Sequence, residues 1–106
     1  MAAVPRFVKV ASADELASGE MLTVEVEGRE LVLVNLDGQF FALDNQCPHM
    51  GGPLGRGRVE QGTIVCPWHA WQWDPKSGRA VSPPVDWRAL TYPVRVEDGD
   101  VLVRVA

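Results

Sequence analysis

The chain contains two cysteines and two histidines, and all four stand close together: Cys47-Pro48-His49, then, after sixteen residues, Cys66-Pro67-Trp68-His69. Thiolate and imidazole are strong ligands for transition metals, so Cys47, His49, Cys66 and His69 are the candidate metal ligands. A disulfide between the two cysteines would leave both neighbouring histidines without a role. Two chemistries suit the set. Structural zinc takes two Cys and two His tetrahedrally, but usually with the like ligands paired in sequence. Here each segment supplies one Cys and one His, a mixing that suits a two-iron cluster in which each segment gives a thiolate to one iron and an imidazole to the other. A zinc-stabilised binding module is the alternative from another class. No catalytic residue is assigned, and no further His and carboxylate triad remains to hold a mononuclear iron, so a complete oxygenase is excluded.

The residues around the ligands fit a metal loop. Pro48 and Pro67 fix φ directly after each cysteine and offer no amide hydrogen, which stiffens the loop without wasting a donor. Gly51, Gly52, Gly55 and Gly57 allow close backbone approach, so that amides can point at cluster sulfurs; for Gly55 and Gly57 a tight turn is an equal explanation. Trp71 and Trp73 alternate as core residues of a short strand would. Trp68 either shields the centre or belongs to a docking face.

The elements that must position these loops are mostly strands. Val and Leu recur in short runs between turn residues, and the chain reads as mostly β and antiparallel. Strands are expected near 6–10, 20–27, 30–36, 39–43, 57–60, 63–66, 71–74, 91–97 and 100–105. Glu27-Gly28-Arg29, Asp37-Gly38 and Asp98-Gly99 supply turns, with glycine tolerating positive φ. Ser12 begins the one expected helical stretch, 12–17, with Glu15 completing a capping box. The loops 47–57 and 66–70 and the Gly-, Ser- and Pro-rich stretch 77–84 interrupt this pattern and are where function is expected.

Composition narrows the class. With 106 residues, 46% hydrophobic and 23% charged, the chain suits one folded domain, 1–106. Residues 31–36 form the longest apolar-rich stretch, far short of the roughly 20 needed to span a bilayer, so no membrane partner is expected. Residues 1–10 lack the apolar region of an export signal, and a cytoplasmic location follows, which keeps the thiols reduced. A net charge of −4 argues against nucleic acid and suits a basic protein surface as partner.

The two boxes, Cys47-Pro48-His49-Met50-Gly51-Gly52-Pro53-Leu54 and Cys66-Pro67-Trp68-His69-Ala70-Trp71, resemble those of the Rieske family, and of its bacterial, oxygenase-associated ferredoxins in particular. The resemblance covers essentially the whole chain. It implies a Rieske-like antiparallel β-sandwich with a small cluster-binding subdomain, its loops lying near 45–57 and 66–84. It also implies a [2Fe–2S] cluster, one per chain, whose inner iron is held by Cys47 and Cys66 and whose outer iron is held by His49 and His69, both serving as exit ports for the electron. Ser82-Pro83-Pro84 resembles the family's proline-rich cluster lid. Ala70 departs from the usual Gly. Where high-potential members carry extra cysteines and hydroxyl residues, this chain has Gly52 and Trp68, and Trp71 and Trp73, which implies a low potential. The function implied is that of an electron carrier, not an enzyme, working as a monomer between a flavin-containing NAD(P)H reductase and a terminal oxygenase. A small Rieske-like subunit of a nitrite reductase is the runner-up.

Overall fold

The computed structural model describes residues 6–49 and 51–105, so Met50 of the first box lies outside the described residues. Eleven strands follow in chain order: β1 Phe7–Ser12, β2 Met21–Val26, β3 Arg29–Leu36, β4 Gln39–Asp44, β5 Arg58–Glu60, β6 Thr63–Val65, β7 Gln72–Trp73, β8 Ala80–Ser82, β9 Thr91–Tyr92, β10 Val94–Glu97 and β11 Asp100–Arg104. They form three antiparallel sheets, ordered β1-β11-β10, β2-β3-β4-β9 and β5-β6-β7-β8.

Turn chemistry sets much of the register. At 27–28, 37–38, 61–62 and 98–99 a non-glycine residue at φ near 50° precedes a glycine at positive φ, and the flanking residues pair directly, as Leu36 does with Gln39. Two successive positive φ values match the right-handed twist of the strands, which is why these two-residue loops take glycine second. The helical stretch expected over 12–17 is a single 3₁₀ turn, Ala13–Glu15. Its Glu15 carboxylate accepts the Ser12 amide at 2.9 Å, as a capping box requires.

Strand β3 is the centre of the molecule. Leu31, Val32, Leu33 and Val34 are all fully buried, an unbroken apolar run that an antiparallel strand with one wet face would not carry. Its side chains alternate between two cores. Leu31 and Leu33 pack with Ala11, Val26, Val101 and Val103 under the first sheet, while Val32 and Val34 pack with Leu43, Leu54, Ile64 and Trp73 under the third. The base is therefore a sandwich of the first two sheets, and the third sheet lies on the opposite face of the second.

Two expectations are corrected. The single strand expected over 91–97 is two: Thr91 and Tyr92 pair with β4, whereas residues from Val94 pair with β11 in the other sheet. Pro93, without an amide hydrogen, stands where the chain changes sheets. The stretch 77–84 is not all loop, since Ala80–Ser82 forms β8 against β7 and closes the third sheet. Among the described residues no helix is long and apolar enough to cross a membrane.

Candidate metal centre

Asn45 anchors the first loop. It is buried, its side-chain amide donates to Glu30 Oε1 at 2.6 Å, and its Oδ1 accepts the Gly55 amide at 2.7 Å. Its own carbonyl accepts the Leu54 amide at 2.7 Å, so one buried side chain ties both ends of the loop to β3. Inside that clamp the Cys47 amide donates to the Gly52 carbonyl at 2.8 Å and the Gly51 amide donates to the Cys47 carbonyl at 2.7 Å. The second loop joins β6 to β7. There the Cys66 amide donates to the Trp71 carbonyl at 2.8 Å, and His69 and Ala70 turn the chain at φ 67° and 57°. The positive φ at Ala70 is the physical reason for glycine to be usual there.

These two loops bring the candidate ligands together as two pairs, Cys47 with Cys66 and His49 with His69. Cys47 and Cys66 are 1% exposed, belong to the core beneath the third sheet, and are both free thiols. Burial pushes the Cys66 thiol up to about 11; a backbone hydrogen bond from Trp68 works against this, and the neighbouring Cys47 adds to it. With iron bound, Cys66 would be held as the thiolate instead. The imidazoles lie further out, with ring centroids 5.3 Å apart and planes at 72°. Ligands thus pair sulfur with sulfur and imidazole with imidazole, and among the described residues no three His, Cys, Asp or Glu side chains converge as one ion would require. Two ligands on each of two irons is the arrangement such pairing suits.

The two histidines are not equivalent. His69 is exposed, while His49 is half-buried and lies flat on Trp71, with centroids 4.0 Å apart and planes at 11°. Its Nδ1 is buried without any hydrogen-bond partner. An orphaned lone pair or N–H at that depth is costly unless something coordinates it. That atom and the two free, buried cysteines are a donor set that fits iron.

Several neighbours behave differently from the sequence reading. Trp73 is fully buried, as expected; Trp71 packs half-buried at the edge of the same core, stacked on Trp73 at 5.9 Å, and in addition carries His49 on one side and Trp87, at 5.2 Å, on another. Gly52 faces the metal side, since a Cβ there would meet the Trp68 ring at 3.0 Å and Cys66 Sγ at 3.1 Å. Gly57 instead lets the loop press on the Val65 carbonyl, and Gly55 fits against Thr23, so both serve packing. Ser82, Pro83 and Pro84 are exposed, and it is Trp87, further along the same stretch, that reaches the His49 ring at 6.1 Å. Neither Trp87 nor Asn45 was singled out by sequence reasoning; position 87 lies far from both boxes, and a lone Asn before a Cys carries no motif.

The chain is similar to known proteins in sequence and in fold. The Rieske [2Fe-2S] domain family matches residues 6–93. The ferredoxin component of the naphthalene 1,2-dioxygenase system of Pseudomonas putida is 33% identical over 98 residues, covering 92% of this chain and 94% of its own. The biphenyl dioxygenase ferredoxin subunit of Pseudomonas sp. (strain KKS102) is 37% identical, covering 92% and 90%. A solved complex of reduced oxygenase and oxidized ferredoxin in carbazole 1,9a-dioxygenase contains a chain of the same fold, with TM-score 0.86, 26% identity and 92% of each chain covered.

Proposed function

The chain belongs to the Rieske [2Fe-2S] domain family, and from that premise we infer that it is a one-electron carrier that delivers electrons to a terminal oxygenase. It is an electron-transfer protein and not itself an enzyme, as its ferredoxin relatives are. Once bound, a [2Fe–2S] cluster supplies one-electron chemistry, at a potential that two imidazoles in place of two thiolates lift above the roughly −400 mV of plant-type ferredoxins.

The protein's own residues do the rest. Cys47 and Cys66 would hold one iron from within the apolar core, where their burial keeps water away. His49 and His69 hold the outer iron, His49 through the buried Nδ1 that otherwise has no partner. That orphaned nitrogen, set beside two free buried thiols, is the observation that carries the reading. His69, being exposed, offers the short path outwards, while Trp71 covers His49.

The reading extends to a separate NAD(P)H-dependent flavin reductase as donor, to a monomer acting as one domain over 1–106, and to the cytoplasm, where free thiols stay reduced. Iron and acid-labile sulfide analysis with EPR of the reduced protein tests it. Two irons and two sulfides per chain are expected; stoichiometric zinc without sulfide, after anaerobic purification with iron supplied, overturns it.

A further inference from the structure

The net charge is unevenly placed. Residues 45–90, which include all four candidate ligands, carry five Lys and Arg against three Asp and Glu, whereas the rest of the chain carries five against eleven. The acidity therefore belongs to the base. Cations there are largely neutralised, in the pairs Arg6–Glu27, Lys9–Asp100 and Arg95–Glu97.

Two arginines within 45–90, on either side of the segment that brings Trp87 to His49, are in another situation. Arg79 and Arg88 stand directly opposite each other in an antiparallel bridge, and both are exposed. Among the described residues no carboxylate lies within ion-pair distance of either, Asp86 of the same hairpin included. Like charges across a β-pair are destabilising, so the fold bears a cost here that an anion from outside would relieve. Between them the chain carries Trp87, whose carbonyl accepts the Ala80 amide at 2.9 Å and fixes it on the hairpin. The Trp87 side chain stays 47% exposed although its ring stands 6.1 Å from His49 and 5.2 Å from Trp71. Trp and Arg are the residue types that anchor protein interfaces.

We propose that the hairpin 79–88 is the docking edge for the terminal oxygenase, with Trp87 entering an apolar socket and Arg79 and Arg88 together clamping a carboxylate on an acidic rim. This rests on the carrier reading above and names the chemistry of the partner. The partner surface is acidic although this protein is itself a net anion. Guanidinium and carboxylate match in geometry, and a basic end on an acidic body turns the metal centre towards an acidic target during the encounter.

The test uses the cluster-loaded protein, reduced and mixed in a stopped-flow instrument with ferricyanide, an anion, or hexaammineruthenium(III), a cation. Oxidation by ferricyanide should slow as salt rises, because screening removes the local attraction, and oxidation by the cation should not. R79E/R88E should lower the ferricyanide rate at low salt by about tenfold and reverse its salt dependence, with the EPR spectrum unchanged. R79Q/R88Q should give the same direction if the charge-reversed protein folds poorly. With the terminal oxygenase of its own organism as acceptor, W87A and R79E/R88E should each raise the KM for the carrier about tenfold and leave kcat unchanged. A wild-type ferricyanide rate that rises with salt, or variants indistinguishable from wild type, overturns the docking edge while leaving the carrier intact. A protein with no reducible chromophore removes the carrier reading and the proposal together.

Discussion

Trp71 is the surface on which the His49 ring rests, and W71L removes the stack while keeping an apolar side chain. The rings are 4.0 Å apart and tilted by 11°, a contact of the kind that contributes about 0.5–1.5 kcal/mol beyond burial. The Trp71–Trp87 contact at 5.2 Å is lost too, but it orders Trp87 and not the ligand. Taking about 1 kcal/mol for the His49 stack, the imidazole should spend about fivefold more time swung away from iron. Each excursion opens a coordination position to water and oxygen. Decay of the visible absorbance in aerated buffer with a chelator should therefore be about fivefold faster in W71L. W71F keeps an aromatic face and should fall between. Because Trp71 is only half-buried, apo-protein stability should change little in either variant. Decay of W71L at the wild-type rate, or of W71F as fast as W71L, would refute the reasoning.

Replacing His49 or His69 with Ala should abolish or destabilise the cluster, since either opens a position on the outer iron; an unchanged EPR signal in both variants would show the ligands to be misassigned. The potential should lie near the low end of the Rieske range, about −150 mV, because Gly52, Trp68, Trp71 and Trp73 supply neither a disulfide nor hydroxyl donors, and voltammetry giving a value above about +100 mV would contradict this. A70G should raise the thermal midpoint: relief of a left-handed alanine at φ 57° contributes about 1–2 kcal/mol, glycine's unfolded-state freedom takes back about 0.5–1 kcal/mol, and a net gain of about 0.5–1 kcal/mol corresponds to about 2–8 °C in a domain of this size. In the apo protein the Cys66 thiol sits above its ordinary 9.0, so the folded state holds its proton more tightly; that stability is full below pH 9.0 and is lost as pH rises through about 11. Denaturant melts of wild type and C66A across that window should differ in slope, and parallel curves would dismiss the effect.

How much was legible in the sequence depended on whether the cause was local. The four candidate ligands could be picked out because a metal loop needs a Cys and a His within two or three residues of each other, and the chain has no others. Turns at 27–28, 37–38 and 98–99 could be read because glycine is the residue that takes the second positive φ at no cost. The short strands between them followed from runs of Val and Leu bounded by turn residues. Even the departure at Ala70 was visible as a residue, though the conformation that makes it a departure was not.

The rest was settled by contacts between residues distant in the chain. Pro93 marks a change of sheet only because β4 and β11 compete for the segments on either side of it. Trp71 and Trp73 are two residues apart, share a face and stack at 5.9 Å, yet Trp73 is fully buried while Trp71, just before the strand at the edge of the same core, is left half-buried and carries His49. The two histidines look alike in sequence, and their difference in depth arises where Trp71 and Trp87 from separate segments meet one ring and leave the other to solvent. Charge shows the same division: composition determined its total, but only the pairing of Arg79 with Arg88 across a bridge determined where an unneutralised positive edge stands, because electrostatic energy depends on distances that sequence order does not encode.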